Sequence, residues 1–416
     1  MSDGAGDSGA KDPRAAHTSP AGLPAGTGPA QPGPSPAAGS PDPVSDEPQL
    51  RVTTLELFFD LVFAFTLTQL TALLASRFSA AGAVQVLLIF GLLWWMYEGY
   101  AWLTNARPPV HTAERLLLLL GMAGFLIIGL AIPHGFGGSA LILGLGYLTV
   151  VVVHAFLYFR VNANIVRVVP FNLTSAVLVI IAGLVRSPAG TERPVGYALW
   201  VAALAVQLGS PLIVHPKGLF ELRPGHLSER HSALLLVALG ESVAAIGAGA
   251  IRTGQEDARL ATAAVLGLAL AAALWWVIFG GRDQEATERV LTAASSERRT
   301  GLALSALFYG NIPLLLGLVA MAAGVQQAIS ESPRPVAGPI GAAVALAVGA
   351  ALFLGGNVAI RRLLGLGSVR LRAAAAAVAL ATTAVGALVA IETQLAVLTV
   401  VLVMLLVLEG RIASHV

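Results

Sequence analysis

Residues 54–75 read TLELFFDLVFAFTLTQLTALLA, an apolar run that carries only two acidic side chains. A helix of about 20 apolar residues crosses the roughly 30 Å hydrocarbon core of a bilayer. Inside lipid the backbone must also satisfy its own hydrogen bonds, which a helix does within one segment. This stretch is therefore predicted to be a transmembrane helix.

Further apolar stretches follow it, and the short loops between them hold nearly all of the Arg and Lys. Of the 416 residues, 56% are hydrophobic and 12% are charged, which is too little charge to cover a soluble protein of this size. The pattern predicts an all-α, polytopic transmembrane bundle of about 12 spans. The predicted spans are 54–75, 84–104, 113–132, 139–160, 165–186, 196–215, 231–251, 259–280, 301–324, 337–358, 372–391 and 393–409.

The chain divides into a tail and a membrane domain. Residues 1–50 contain ten prolines and eight glycines and almost no large apolar side chain. Such a segment buries too little surface to offset the entropy of ordering, so we expect a disordered cytoplasmic tail followed by a helical domain at 51–410. No apolar segment precedes Leu55, so we expect no cleavable signal peptide.

The basic residues predict the orientation. If the N-terminus is cytoplasmic, nineteen of the 25 Lys and Arg fall on the inside, as the positive-inside rule requires. We therefore expect a multi-pass protein of the cell membrane with both termini in the cytoplasm. These residues are scattered over many loops and form no stripe, so nucleic acid is not an expected partner. The six on the outside are Arg77, Arg186, Arg193, Arg252, Arg259 and Arg334.

Several features recur in the two halves of the chain. Trp94–Trp95 in span 2 has a counterpart in Trp275–Trp276 of span 8, and Glu114–Arg115 has one in Glu297–Arg298. These coincidences predict a 6+6 parallel repeat, with halves at 51–215 and 226–410, as in some secondary transporters. The alternative is that interfacial Trp and cytoplasmic Arg recur in any polytopic protein.

Ionisable groups inside spans are functional candidates because each raises the free energy of insertion by about 2.5–3.5 kcal/mol. Glu56 and Asp60 are spaced i, i+4 and share one helix face. We expect Glu56 to lie at the interface in a structural role. For Asp60 two interpretations stay open: an ion pair with Arg115 or Arg160, or a place in a substrate or proton pathway.

Glu241 is the acid that the sequence singles out most clearly. It lies about 16 Å along its helix from Glu229 and Arg230, near mid-membrane, and is either protonated or paired with another span. Glu229 and Arg230 themselves are predicted to form a solvated ion pair at the cytoplasmic start of span 7. Small neighbours such as Gly240 and Gly247 would allow another helix to approach closely.

Three further positions carry weaker signals. Glu98 lies toward the cytoplasmic end of span 2 and could snorkel to the interface. His154 could carry protons between about pH 5 and 8, although a hydrogen-bonded core histidine is the more common case. Asn311 with Pro313 predicts a kink in span 9, where freed carbonyls could line a cavity or be purely structural.

The chain lacks the motifs of several enzyme classes. It contains no cysteine, which excludes disulfides, thiolate metal sites and a cysteine nucleophile. It also contains no P-loop, no H-E-x-x-H and no G-x-S-x-G. No metal or cofactor is therefore expected.

Two segments resemble the signatures of the bacterial low temperature requirement protein A family: LELFFDLVFAFTLTQLTALL at 55–74 and HLSERHSALLLVALGESVAAIG at 226–247. The family's acids of span 1 match Glu56 and Asp60. Its span-7 pattern matches Glu229, Arg230, Gly240 and Glu241. The resemblance extends from about 51 to the last spans and implies a multi-pass bacterial membrane protein, linked by name to growth in the cold. It supplies no substrate and no reaction.

The chain departs from the family pattern at three positions. His231 stands where the family usually has an aromatic residue, and Asn311 where it often has histidine. Gly280 replaces an acid that usually follows the second tryptophan pair. These departures argue against a proton relay that needs a titratable group at 280 or 311.

Three functional hypotheses follow. The leading one is a secondary transporter of a small solute, either with or without coupling to protons. Asp60 and Glu241 would be the paired or titrating acids at the interface of the two halves. The second is an intramembrane enzyme that acts on a lipid or polyprenyl substrate, with polar residues such as Arg115, Arg160 and Arg230 at one leaflet. The third is a structural or sensory protein in cold adaptation, with every acid paired and no cavity. The bilayer is the expected partner, and a homo-oligomer is left open.

Overall fold

The computed structural model describes residues 52–159, 167–185, 194–214, 222–253, 258–330 and 340–413. All regular secondary structure within these ranges is helical, which confirms the predicted all-α, polytopic bundle. The predicted tail at 1–50 and Arg160 lie outside the described residues.

The helices follow the predicted spans closely. Within the described ranges, nine helical segments are long and apolar enough to cross a membrane, and α5 is a shorter apolar helix. The exact number of spans and the 6+6 repeat stay predictions. A 3₁₀ turn, Ile132–His134, follows α3, and a π-helix, Leu304–Tyr309, joins α10 to α11. The helices are α1 (Thr54–Ser76), α2 (Ala80–Ala106), α3 (Thr112–Ala131), α4 (Ala140–Phe159), α5 (Val169–Leu184), α6 (Pro194–Val214), α7 (Pro224–Thr253), α8 (Ala258–Phe279), α9 (Asp283–Ala293), α10 (Ser296–Ala303), α11 (Gly310–Ser330), α12 (Ile340–Leu364), α13 (Arg370–Ala381), α14 (Thr383–Leu388) and α15 (Ile391–Ala413).

Three features of the helices differ most clearly from the predicted spans. Helix α7 begins at Pro224 instead of 231, with proline at the first helical position that its fixed φ favours. The short helix α9 between α8 and α10 was not predicted. The predicted span 372–391 is divided into α13 and α14 at Thr382.

A buried aromatic cluster packs α1, α2 and α3 together. The rings of Phe63 and Tyr97 lie 4.3 Å apart, and those of Phe59 and Tyr100 lie 5.0 Å apart. Phe125 of α3 meets Phe59 edge-on at 5.4 Å. Tilted and edge-on contacts are the arrangements that aromatic quadrupoles favour. This cluster fixes the faces of α1 and α2 that carry the site described below.

Helices α11 and α12 approach each other through glycine. A Cβ at Gly317 would lie 2.6 Å from the carbonyl oxygen of Gly349, and a Cβ at Gly349 would lie 2.7 Å from that of Gly317. Without side chains the two backbones can touch, as small residues allow in membrane helices.

Gly349→Ala should therefore lower the thermal stability of the detergent-solubilised protein, although alanine is intrinsically the better helix former. The added methyl group forces a backbone shift, which we expect to reduce the free energy of unfolding by about 1–3 kcal/mol. Gly355→Ala is the matched control on the same helix, because its Cβ meets nothing within 4 Å. Equal melting temperatures for the two variants would contradict the proposed close contact.

Candidate functional site: a buried charge network beside a cavity

Arg230 of α7 is the centre of a charge network inside the bundle. Its side chain is fully buried, and its Nε and Nη2 each lie 3.1 Å from Oδ1 of Asp60 on α1. Nη1 lies 3.5 Å from Oε1 of Glu56 and also donates to the Thr104 hydroxyl of α2. One guanidinium therefore connects three helices.

Two aromatic rings also contact the guanidinium of Arg230. Its central carbon lies 5.5 Å from the ring centroid of Phe59 and 5.6 Å from that of Tyr97. Cation–π attraction at such distances strengthens when water is excluded. The Tyr97 hydroxyl donates to Oδ1 of Asp60 at 2.9 Å, while Oδ2 of Asp60 has no hydrogen-bond partner among the described residues.

Glu56 is positioned by the start of its own helix. The Thr53 backbone N–H donates to Oε2 of Glu56 at 2.8 Å, and the Glu56 N–H donates to the Thr53 hydroxyl at 3.3 Å. This capping box satisfies two backbone donors that the first turn leaves open. A carboxylate in the first turn is also favoured by the helix dipole. Glu56 is thus held by the N-terminus of α1 as well as by Arg230.

Hydrogen bonding fixes the tautomer of His226, the second α7 residue in contact with this network. The Asn105 amide accepts from the Arg223 N–H at 3.0 Å and donates to the Arg223 carbonyl at 2.9 Å, which assigns its O and N atoms. The nitrogen of that amide faces Nδ1 of His226 at 3.3 Å, so Nδ1 accepts. Nε2 therefore carries the proton and donates to Glu56 at 3.3 Å. His226 is neutral in this arrangement, which leaves two carboxylates around one guanidinium.

The prediction of a solvated Glu229–Arg230 pair is wrong for Arg230. Consecutive helix residues point about 100° apart, which allows Glu229 to face outward while Arg230 faces the interior. Glu229 is exposed, whereas Arg230 turns inward to Asp60. Arg115, one predicted partner of Asp60, is exposed and donates to the Pro109 carbonyl at 3.2 Å.

A second buried pair joins α7 to α2. Nδ1 of His231 lies 2.8 Å from the Leu227 carbonyl, which can only accept, so Nδ1 carries a proton. Nε2 of His231 lies 2.7 Å from Oε1 of Glu98, and the Trp102 indole donates to Oε2 at 3.0 Å. A further proton must therefore lie between Nε2 and Oε1, on one partner or the other. Either way the His231–Glu98 pair is neutral as a whole.

Glu98 also forms part of the wall of a partly open cavity of about 140 Å³. It lies about 12 Å from the C-terminal end of α2, by helix rise. Most of the wall is apolar, and among the described residues that line it none is Lys or Arg. The aromatic lining residues are Trp95, Trp102, Tyr158 and Phe308, and the polar ones are Glu98, His154, Asn172, Ser210 and Thr300.

His154 lies in this cavity wall. It is buried between the rings of Tyr100 and Tyr158, at 5.1 and 4.8 Å, and its Nε2 has no hydrogen-bond partner among the described residues. Its Nε2 lies against Gly99 of α2, where an added Cβ would be 2.7 Å away, and His154 shares the cavity wall with Glu98.

Asn311 has a different role. Its side-chain amide donates to the Leu307 carbonyl at 2.8 Å, inside the π-helix that precedes Pro313. The Phe308 carbonyl accepts from the Trp94 indole at 3.1 Å. These two carbonyls are thus satisfied by side chains, and Asn311 does not line the cavity.

Glu241 is separate from the network. It is half-buried, and its described hydrogen bond is from the Thr68 hydroxyl of α1 at 2.6 Å. The pairs Asp60–Arg230 and Thr68–Glu241 occur in the same order along both helices, so α1 and α7 run parallel. We call this line of contacts the α1–α7 seam.

A further ion network in the C-terminal part was not predicted. The buried Arg372 binds Glu409 at 2.8 and 2.9 Å and lies 3.4 Å from Asp283, which also pairs with Arg361. It connects α9, α12, α13 and α15. Arg361 lies just beyond the predicted span 337–358, and Arg372 is the first residue of the predicted span 372–391.

An all-helical bundle with buried ion pairs between its apolar helices defines a polytopic membrane protein. The chain belongs to the bacterial low temperature requirement A protein (LtrA) family, whose model matches residues 51–408, and the resemblance of the two motifs is thereby confirmed. The chain is also 25% identical over 324 residues to a protein of Rhizobium meliloti (strain 1021) that is named only as an uncharacterized protein. That alignment covers 76% of this chain and 78% of the relative.

Arg230→Gln should destabilise the protein strongly, because it leaves two buried carboxylates without their cation. Removing one partner of a buried pair reduces the free energy of unfolding by about 3–5 kcal/mol. The measurement is thermal unfolding in detergent, with Arg115→Gln as the exposed control. Adding Asp60→Asn to Arg230→Gln should recover part of the loss, since the two residues are coupled. Strictly additive effects would show that the pair makes no direct interaction.

Proposed function

We propose that this protein is a secondary transporter of a small solute in the bacterial cell membrane, with both termini in the cytoplasm. The observation that carries the proposal is the cavity inside the helical bundle. Its wall includes the carboxylate of Glu98, which is hydrogen-bonded to His231 of α7. A transporter needs a solute site within the bundle and a contact between its moving parts that can be broken and remade. The cavity and the α1–α7 seam supply these two elements.

The charge network has the properties of a gate. Arg230 joins α7, in the second half of the chain, to α1 and α2 in the first. Separating these helices would expose or unpair buried charges, which disfavours the open arrangement unless water or solute replaces the contacts. In this proposal Asp60 and Glu56 hold the gate, and Glu241 extends the seam toward mid-membrane.

An intramembrane enzyme is the second candidate, and one observation favours it. Asp60 and Arg230 lie about 9 Å from the N-terminal ends of α1 and α7, and Glu98 lies about 12 Å from the C-terminal end of α2. Because α1 and α2 are joined by a short loop, these ends face the same leaflet. A lipid-modifying site would be located there. Against this, Asp60 and Glu56 do not line the cavity. The third hypothesis, a structural or sensory protein in cold adaptation, predicted no cavity, and the cavity beside Glu98 argues against it.

The decisive experiment compares sealed vesicles with detergent micelles. Solutes whose levels differ between cells with and without the protein are identified by untargeted analysis and then supplied to proteoliposomes. A transporter moves one of them unchanged across the sealed membrane and has no activity in micelles, which have no second compartment. An enzyme converts its substrate in both preparations, and that result would contradict the proposal.

Ser210→Phe should abolish this transport, because the new ring fills the cavity from α6. We expect at least a tenfold lower initial rate of solute uptake into proteoliposomes. Val201→Phe is the control on the same helix, since Val201 is 53% exposed and lies outside the cavity lining. Equal loss of uptake in both variants, or none in either, would exclude the cavity as the solute site.

A further inference from the structure

We infer that the cavity binds a small organic cation in exchange for the proton shared by Glu98 and His231. This inference rests on the proposed transport function and names its substrate class and coupling. Three properties of the cavity lead to it: its aromatic wall, its single carboxylate and its size.

The aromatic wall favours a cation. Trp95 and Phe308 meet edge-on, with centroids 5.7 Å apart, and Trp102 and Tyr158 line the same space. The negative faces of such rings attract ammonium groups, and a set of them around one pocket suits quaternary ammonium ligands. Tryptophan is the strongest ring for this contact.

Glu98 can interact with such a cation while it keeps the hydrogen bond from the Trp102 indole. Each of its oxygens has one described hydrogen bond, from Trp102 and with His231. A carboxylate has about four acceptor positions, so the carboxylate has capacity for a positive group in the cavity. The cavity is largely apolar, and charge–charge attraction is stronger there than in water.

Charge balance then couples binding to a proton. With the shared proton present, the Glu98–His231 pair is neutral and the cavity wall offers no net charge. When that proton passes to water, its bond to Nε2 or Oε1 and the hydrogen bond between these two atoms are lost. One negative charge then remains beside the aromatic rings, and a monovalent cation restores neutrality. One proton is thus released for each cation bound, and no bond between heavy atoms changes. An anion would instead face Glu98 with no Lys or Arg among the described lining residues.

The other ionisable groups around the pair do not change this balance. On the network side, Arg230 is already paired with the two carboxylates of Asp60 and Glu56. Tyr97 donates to Asp60, and His226 donates to Glu56. On the cavity side the wall contains His154 and Tyr158. Of these groups, only the Glu98–His231 pair holds a proton between two partners and borders the cavity.

The cavity volume limits the size of the cation. Apolar cavities of about 150 Å³ accommodate a molecule as large as benzene. The 140 Å³ space therefore suits tetramethylammonium or a short alkylamine. Tetramethylammonium is the better probe because it has no proton of its own to release.

The test is calorimetric titration of the purified protein with tetramethylammonium in buffers of different ionisation enthalpy. We expect about one proton released per cation, and a tenfold gain in affinity per pH unit while the pair is protonated. Neopentyl alcohol, a neutral molecule of similar size, should bind without proton release or not at all. Cation binding without proton release would overturn the proposed exchange, and absence of cation binding would overturn the substrate class.

Two variants separate the roles of the pair. Glu98→Gln should no longer bind the cation, although glutamine can still accept from Trp102 and donate to Nε2 of His231. His231→Gln keeps the carboxylate and loses the shared proton, so it should bind the cation with no proton release and with an affinity independent of pH. A merely structural role would weaken both variants alike. Glu229→Gln, exposed on the same helix as His231, is the control and should match the wild type.

Failure of this inference is distinguishable from failure of the proposed function. If another solute enters proteoliposomes and Ser210→Phe blocks it, but tetramethylammonium does not bind, the transporter stands and the cation exchange is wrong. If tetramethylammonium binds with proton release but does not cross the sealed membrane, the site is correct and the transport function is wrong.

Discussion

A buried guanidinium is the constraint on which the arrangement of this bundle depends. Arg230 lies where water is excluded, and its charge is tolerated because Asp60 and Glu56 approach it from α1 and Thr104 approaches it from α2. These contacts place α1 beside α7, and the additional contact of Thr68 with Glu241 shows that the two helices run in the same direction. They also bring the next residue of α7, His231, against Glu98 of α2, and so connect the network to the wall of the cavity.

The fold class could be predicted from the sequence because a helix needs about 20 apolar residues to cross the hydrocarbon core of the bilayer. The acids of α1 followed as well, since Glu56 and Asp60 interrupt an otherwise apolar run. Their partner did not, because Arg230 is 170 residues away and a hydropathy window treats an arginine as the end of a span. The i, i+4 spacing of His226 and Arg230 on one face of α7 was a signal that could have identified it.

The predicted repeat illustrates what a sequence pattern omits. Trp94 is 1% exposed and packs in the core, whereas Trp275, its counterpart in the second pair, is 40% exposed. The same residue type therefore meets protein in one half and the outer surface of the bundle in the other. The cavity could not be predicted from the sequence either. Its wall is formed by elements from distant parts of the chain, namely α2, α4, α5, α6 and the π-helix.

The parallel contact of α1 with α7 is tested most directly by disulfide cross-linking, which suits a chain without native cysteine. A protease site introduced between α6 and α7 separates the two parts of the chain unless a disulfide joins them. We expect Thr68→Cys with Glu241→Cys to form that disulfide on oxidation in native membranes, since the two side chains are hydrogen-bonded. Thr68→Cys with Val243→Cys, on the exposed side of α7, should not. Efficient cross-linking of the second pair but not the first would contradict the seam and with it the buried position of Arg230.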